Sequence, residues 1–213
     1  KGKTYTSMSR HPPGSPSLSA TERRATVSLA GIFALRMLGL FLILPVFALY
    51  AEGMAGVTPV LVGLAVGAYG LTQALLQIPF GMLSDRIGRK PVILGGLLVF
   101  AVGSLVAASA ETIYGVILGR ALQGSGAIAA AVMALAADLT REEVRTRAMA
   151  MIGVSIGAAF ALALVLGPVL GHWVGVPGIF WITAALAVGG ILIVIFLVPT
   201  PAPPRVHRDA EAT

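Results

Sequence analysis

Six long apolar runs, separated by short polar gaps, make up most of the chain after residue 24. Each run has about 20 residues or more, enough for a helix to cross roughly 30 Å of hydrocarbon. Lipid cannot satisfy an open backbone, and the runs lack the short alternation of barrel strands, so we expect helices. The predicted helices lie near 25–50, 58–82, 91–110, 113–137, 146–171 and 178–199.

Basic residues fall in alternate gaps. The N-terminal tail, the gaps after the second and fourth runs, and the C-terminal tail hold 13 of the 15 Lys and Arg residues. The first, third and fifth gaps hold none. Cytoplasmic loops of membrane proteins carry an excess of Lys and Arg, so both termini are expected in the cytoplasm. Residues 1–24, rich in Pro and Ser, are predicted to be a disordered cytoplasmic tail.

Composition narrows the class of protein. Apolar residues make up 57% of the chain and charged residues 11%, whereas a soluble domain carries roughly 25% charged residues. Most of the outer surface is therefore expected to face membrane lipid. The net charge of +6 could suggest nucleic acid, but the basic residues follow membrane topology, so we expect no nucleic-acid partner.

The sequence lacks the residue sets of an enzyme or a metal site. It contains no cysteine, which excludes disulfides and thiolate ligands. Its three histidines, His11, His172 and His207, fall in the tails or an outer loop. Candidate Ser, His and Asp residues fall on opposite membrane faces. We therefore expect no enzyme activity, no cofactor and no metal.

An ordered set of glycines and charges follows the second predicted helix. Its members are Gly81, Asp85, Arg86, Gly88, Arg89 and Lys90. The glycines permit a tight turn, and Asp85 can form an ion network with the cations. Asp138 ends the fourth predicted helix on the same side and can join it. The plain alternative is a basic turn that only follows membrane topology.

Two arginines lie inside predicted helices. Arg36 and Arg120 would each cost at least ~2.5–3.5 kcal/mol at the membrane centre. No acidic residue is predicted at that depth, so their partners are backbone carbonyls, an anionic substrate group or acids from a second half. Tyr69, Gln73 and Gln77 share one face of the second helix and predict either a cavity lining or hydrogen bonds between helices.

Glycines also recur at the small-xxx-small spacing typical of close helix packing in membranes. The pairs are Gly63/Gly67, Gly115/Gly119, Gly153/Gly157 and Gly167/Gly171.

Three segments resemble motifs of the major facilitator superfamily. The segment 81–90 resembles motif A at every defining position. Residues 118–126, which include Arg120 and Gln123, resemble motif B of the fourth helix. Residues 167–171 resemble motif C, the antiporter motif of the fifth helix. The motifs occur in the family's order, so residues 21–199 resemble the amino-terminal half of a drug–proton antiporter, most closely of the YajR type.

The resemblance implies an all-α membrane protein: six transmembrane helices forming one half, a 3+3 inverted repeat, of the major facilitator fold. It also implies proton-coupled efflux of small organic compounds across the bacterial inner membrane by alternating access. Asp85 would meet a helix of the other half, and Arg89 would pair with Asp138, as a conformational latch. Arg120 would lie near the proton path.

The motif C residues would shape the fifth helix where the two halves meet; they are Gly167, Pro168 and Gly171. The family's transporters have two halves, whereas this chain resembles one. Residues 200–213 resemble the start of the cytoplasmic loop between the halves. Three possibilities stay open: a fragment or truncated product of a longer protein, a half-transporter that pairs with itself or with a partner chain, and a non-transporting membrane subunit or scaffold.

Overall fold

The computed structural model describes residues 17–54 and 56–199, and the described residues form helices without strands. The helices are α1 (Ala20–Leu42), α2 (Leu44–Glu52), α3 (Pro59–Ile87), α4 (Arg89–Ala108), α5 (Ile113–Ser125), α6 (Ala129–Asp138) and α7 (Glu142–Phe196). The predicted all-α class is confirmed. The predicted connecting loop 200–213, and the predicted tail up to residue 16, lie outside the described residues.

Five helical segments among these residues are long and apolar enough to cross a membrane, with α1–α2 and α5–α6 each counted as one. The fifth, α7, has 55 residues and includes Gly175, which has φ 68° and ψ 178°. This left-handed backbone favours glycine and interrupts the helix. The arms on either side lie where the fifth and sixth helices are predicted, and six crossings stay a prediction.

Helix starts follow local capping chemistry. Ser19 accepts a hydrogen bond from the Glu22 backbone N–H at 3.3 Å, and the Glu22 carboxylate accepts one from the Ser19 N–H at 2.8 Å. This capping box starts α1 at Ala20, five residues before the predicted start and inside the predicted disordered tail. Thr58 likewise caps α3, which runs through the motif A segment to Ile87.

Two of the predicted helices are interrupted. The first divides at Ile43, because Pro45 has no N–H to donate and its ring crowds the preceding turn. The fourth, expected to be continuous over 113–137, divides between α5 and α6. Gly126 leaves helical geometry there, with φ −76° and ψ 51°. The division separates the carbonyls that end α5 from the N–H groups that begin α6.

Backbones approach most closely where α4 crosses α5. A Cβ atom on Gly103 would lie 2.5 Å from the Gln123 nitrogen, and one on Gly119 would lie 2.6 Å from the Ala107 nitrogen. Real Cβ atoms do not come this close to backbone atoms, so these positions require glycine. The α4–α5 pair therefore forms a backbone-to-backbone contact at the centre of the bundle.

The glycine pairs at small-xxx-small spacing divide into two groups. The packed glycines are Gly119, Gly167 and Gly171, which contact other helices, and Gly115, which packs against the connection before α5. A Cβ atom on Gly63, Gly67, Gly153 or Gly157 would meet no neighbouring atom within 4 Å. The open glycines lie on α3 and on the first arm of α7. Helix α3 as a whole buries few side chains among the described residues: Ala65, Tyr69 and Ser84. One side of the bundle is therefore uncovered.

Substituting Gly103 with Ala should destabilise the protein by about 1–3 kcal/mol, because the added methyl group collides with the α5 backbone. Gly95→Ala is the matched control, since Gly95 lies on the same helix with nothing within 4 Å. Thermal unfolding of the purified full-length protein in detergent checks this. Equal melting temperatures for the two variants would contradict the packing described here.

Candidate functional site

Arg89 is the centre of the motif A ion network. Its Nη1 contacts the Asp85 carboxylate and donates to Ser84 Oγ at 2.7 Å, while its Nε lies 3.4 Å from Asp138 Oδ2. Ser84 donates in turn to the Gly81 carbonyl at 2.7 Å. The network joins the end of α3, the start of α4 and the end of α6.

The two glycines of this segment have distinct structural roles. Gly88 has φ 100°, so it makes the turn between α3 and α4 in a conformation that L side chains rarely adopt. Gly81 lets α3 approach α6, since a Cβ atom there would lie 3.3 Å from the Ala130 Cβ. Arg86 is exposed and Lys90 is half-buried. The glycines thus set the geometry in which the charges meet.

Exposure limits the strength of this network. The side chains of Asp85 and Asp138 are 62% and 45% exposed. Exposed ion pairs typically contribute about 0–1 kcal/mol, because water and salt screen them. The network therefore orients the helix ends that it joins but contributes little to the stability of the fold. The Asp85 carboxylate keeps most of its surface available to other groups.

A second ion pair, which the sequence analysis missed, lies at the start of the bundle. The Glu22 Oε1 atom accepts hydrogen bonds at 2.9 Å from both the backbone N–H and the Nε of Arg141, and Oε2 accepts one at 3.1 Å from its Nη2. These bonds raise the pKa of the Arg141 guanidinium above its usual value, so it stays charged. The pair ties the first turn of α1 to the first turn of α7.

Replacing Glu22 with Gln should loosen the junction between α1 and α7, because the amide cannot accept all the hydrogen bonds that the carboxylate accepts from Arg141 and Ser19. Hydrogen–deuterium exchange at residues 19–24 and 141–144 should become several-fold faster. Glu142→Gln, an exposed change in the first turn of α7, should have no such effect. Unchanged exchange in the Glu22 variant would show that the ion pair does not hold the two helices.

Arg36 is buried in the middle of the bundle with a relative exposure of 1%. Its Nη2 donates to the Gly126 carbonyl at 2.9 Å and to Gln73 Oε1 at 3.1 Å. Its guanidinium carbon lies 5.8 Å and 5.2 Å from the ring centres of Tyr69 and Phe100. The Gly126 carbonyl is at the C-terminal end of α5, where the helix dipole favours a cation.

Arg120 has a similar environment and also lies close to the Tyr69 ring. Its Nε donates to the Ala65 carbonyl at 3.3 Å and its Nη1 to Gln123 Oε1 at 3.0 Å. Its guanidinium carbon lies 5.0 Å from the Tyr69 ring centre. Gln123 donates to Ser104 Oγ at 2.8 Å. Both arginines are thus held by neutral groups, and backbone carbonyls are among them.

Two of the predicted cavity residues, Gln73 and Gln77, line a cavity of about 550 Å³. Residues from α1, α3, α6 and α7 surround it, and most of the lining is apolar, including Phe33, Met133 and Ile156. The other predicted polar residues are buried beside the cavity and do not line it; they are Arg36, Tyr69, Arg120 and Gln123.

The motif C residues lie where the first arm of α7 crosses α2. A Cβ atom on Gly167 would lie 2.7 Å from the Leu42 carbonyl oxygen, and one on Gly171 would lie 3.0 Å from a Val46 methyl group. Pro168 is exposed and lines a groove with Pro45 on this side of the bundle. Motif C is therefore a close-packing element in this chain.

The chain matches known proteins along most of its length. Residues 29–213 match the family model described as Major Facilitator Superfamily. The chain is 58% identical over 189 residues to the inner membrane transport protein YajR of Escherichia coli, covering 89% of this chain and 42% of that protein. It is 41% identical over 129 residues to a triacylglyceride transporter of Mycolicibacterium smegmatis, covering 56% of this chain and 22% of that protein.

Solved transporters share the fold. The human organic anion transporter MFSD10 aligns with a TM-score of 0.69 at 24% identity, covering 87% of this chain and 49% of that one. The POT family transporter PepTSo aligns with a TM-score of 0.71 at 17% identity, covering 88% and 40%. This chain spans less than half the length of these proteins.

Proposed function

The chain belongs to the major facilitator superfamily, and on this premise we propose that it forms the amino-terminal half of a proton-coupled efflux transporter that works by alternating access. The observation that carries the proposal is the largely apolar cavity, with Gln73 and Gln77 in its wall, at the uncovered side of the bundle. Helices α1, α3, α6 and α7 line it, and the exposed faces of α3 and α7 flank it. Such an arrangement is one wall of a site that a second set of helices would complete.

The uncovered faces fit a protein partner better than lipid alone. Exposed leucines on α3, such as Leu71 and Leu75 at 62% and 65%, follow the open glycines Gly63 and Gly67 at the same four-residue spacing. Small residues let helix backbones approach closely, which lipid tails do not need. We propose that the carboxy-terminal half, in the same or a second chain, packs on α3 and the first arm of α7, and that lipid covers the rest.

The motif A network is proposed to act as the conformational latch. Arg89 holds the ends of α3 and α6 together, while Asp85 keeps an exposed carboxylate that can meet the positive end of a helix in the other half. Because basic residues surround the network, we propose that it lies at the cytoplasmic face, with both termini on that side. The latch would then close the cytoplasmic end of the cavity and open with each transport cycle.

Proton coupling needs a group that gains and loses a proton. Among the described residues, carboxylates occur only near helix ends or in connections, so none lies beside Arg120 at cavity depth. We propose that the proton-carrying acid belongs to the other half or to the substrate, and that Arg120 favours its ionised form. The direction of transport, out of the cell, is inferred from the resemblance at motif C.

Proteoliposomes that contain the full-length protein and a pH-sensitive dye test transport directly. A library of small organic compounds is added outside, and the internal pH is followed with and without an imposed proton gradient. At least one compound should change the internal pH only in vesicles that contain the protein. If no compound does so, and none accumulates, the chain belongs to a membrane protein that does not transport.

The Asp85→Asn variant should shift the conformational equilibrium toward the state that is open to the cytoplasm and lower transport by up to about fivefold, the range of an exposed ion pair. Because the chain has no cysteine, one placed in the cavity as Ala74→Cys reports accessibility by its labelling rate. Glu111→Gln, in the connection between α4 and α5, serves as the control. Labelling and transport that match the control would rule out the latch.

A further inference from the structure

Arg36 is left with unused hydrogen-bonding capacity. It is 1% exposed, yet its Nε and Nη1 atoms have no hydrogen-bond partner among the described residues. A buried polar group without a partner costs free energy, and the cost is larger for a charged group. A group that accepts a hydrogen bond from either nitrogen would therefore bind strongly.

The charge around Arg36 is also uncompensated. The Tyr69 ring lies near two guanidinium groups, those of Arg36 and Arg120, and both make hydrogen bonds to neutral oxygens. The carboxylates of the part of the chain that the structure covers belong to helix ends or connections, as in Glu52, Asp85 and Glu111. The missing group should therefore carry negative charge.

Gln73 connects this cation to the cavity. Its side-chain oxygen accepts the Arg36 hydrogen bond at 3.1 Å, and the same residue lines the 550 Å³ cavity. A ligand carboxylate in the cavity can thus reach the guanidinium by displacing the Gln73 oxygen. One of its oxygens would accept from Nη2, and the other would accept from Nη1 or Nε, which have no partner among the described residues. Helix α6 begins at the cavity wall with Ala129, and no side chain caps its first N–H groups, which adds positive potential on that side.

Gln77 supplies a second polar contact one helical turn away. Its Oε1 atom is buried without a hydrogen-bond partner in the described chain, and the residue lines the same cavity. Residues four apart on a helix have side chains about 5–6 Å apart at Cβ. The oxygen needs a donor, such as a hydroxyl or N–H group, at that distance from the anionic group. Phe33, Met133 and Ile156 offer apolar surface for the remainder of a ligand.

We propose that the cavity binds a small organic acid whose carboxylate replaces the Gln73 oxygen at Arg36, while a hydroxyl or N–H group on the same molecule donates to Gln77. The inference rests on the proposed function, since it names the substrate class of that cavity. A carboxylate of the other half could also pair with Arg36. In that case added acids would not bind more tightly than their amides, whereas an open anion site would prefer the acids.

Four probe compounds separate these sources: benzoate, benzamide, 4-hydroxybenzoate and 4-hydroxybenzamide. Their binding to the purified full-length protein in lipid nanodiscs is measured by equilibrium dialysis at neutral pH. Each acid should bind about tenfold or more tightly than its amide, because the carboxylate pairs its negative charge with the guanidinium, whereas the amide offers only a neutral acceptor. The 4-hydroxyl group should improve binding further through Gln77.

Four variants test which residues produce the preference for acids over amides. Arg36→Gln should remove the preference for acids, and Gln73→Glu should do so while leaving the cation in place, because its own carboxylate occupies the guanidinium. Gln77→Leu should remove only the advantage of the 4-hydroxyl group. Arg23→Gln, an exposed arginine on the same helix, should bind like the unmodified protein. Melting temperatures show which variants fold, and Gln73→Glu keeps the test decisive if Arg36→Gln does not.

Equal binding of acids and amides to the unmodified protein would overturn the proposal and assign the counter-charge to the other half. Retention of the acid preference in folded Arg36→Gln, or no binding of any probe at millimolar concentration, would overturn it as well. Flux in proteoliposomes is measured separately. Binding of acids without proton-linked flux would contradict the transport function while supporting the anion site, whereas equal flux of acid and amide would contradict the anion site alone.

Discussion

Moving a guanidinium group from water to the interior of a membrane protein costs several kcal/mol unless polar groups replace its hydration. Arg36 and Arg120 impose this requirement twice within one bundle. The structure meets most of it with backbone carbonyls, two glutamine oxygens and the faces of Tyr69 and Phe100. The interior positions of Gln73, Gln123 and Ser104 are explained by the hydrogen bonds that link them to these two cations.

The interruption of the fourth predicted helix has the same origin. In a continuous helix the Gly126 carbonyl would accept the N–H of Ala130, four residues later. The interruption frees this oxygen for Arg36. Position 126 also requires glycine, because a Cβ atom there would lie 2.2 Å from the Gly96 carbonyl oxygen. Close packing of α4 on α5 and solvation of a buried cation thus depend on one glycine.

The sequence predicted the features that follow from residue type, and it missed the interactions between residues that are distant in the sequence. Apolar runs predict membrane helices because hydrocarbon excludes unpaired polar backbone groups. The charges of motif A could be grouped because they are close in sequence. The Glu22–Arg141 pair joins residues 119 apart, so spacing gives no sign of it. Gly63 and Gly119 both belong to small-xxx-small pairs, yet of the two only Gly119 contacts another helix. The spacing of glycines does not identify the helix that packs against them.

Helix α6 links the two parts of the candidate site. Its ten residues span about 15 Å, from the cavity wall at Ala129 to Asp138 in the ion network. In the proposed latch, α6 would move as one unit about the non-helical residues before it. A shift of Asp138 relative to Arg89 would then displace the start of α6, beside the Gly126 carbonyl that accepts from Arg36. One short helix would thus couple the exposed ion network to the buried cation and the cavity.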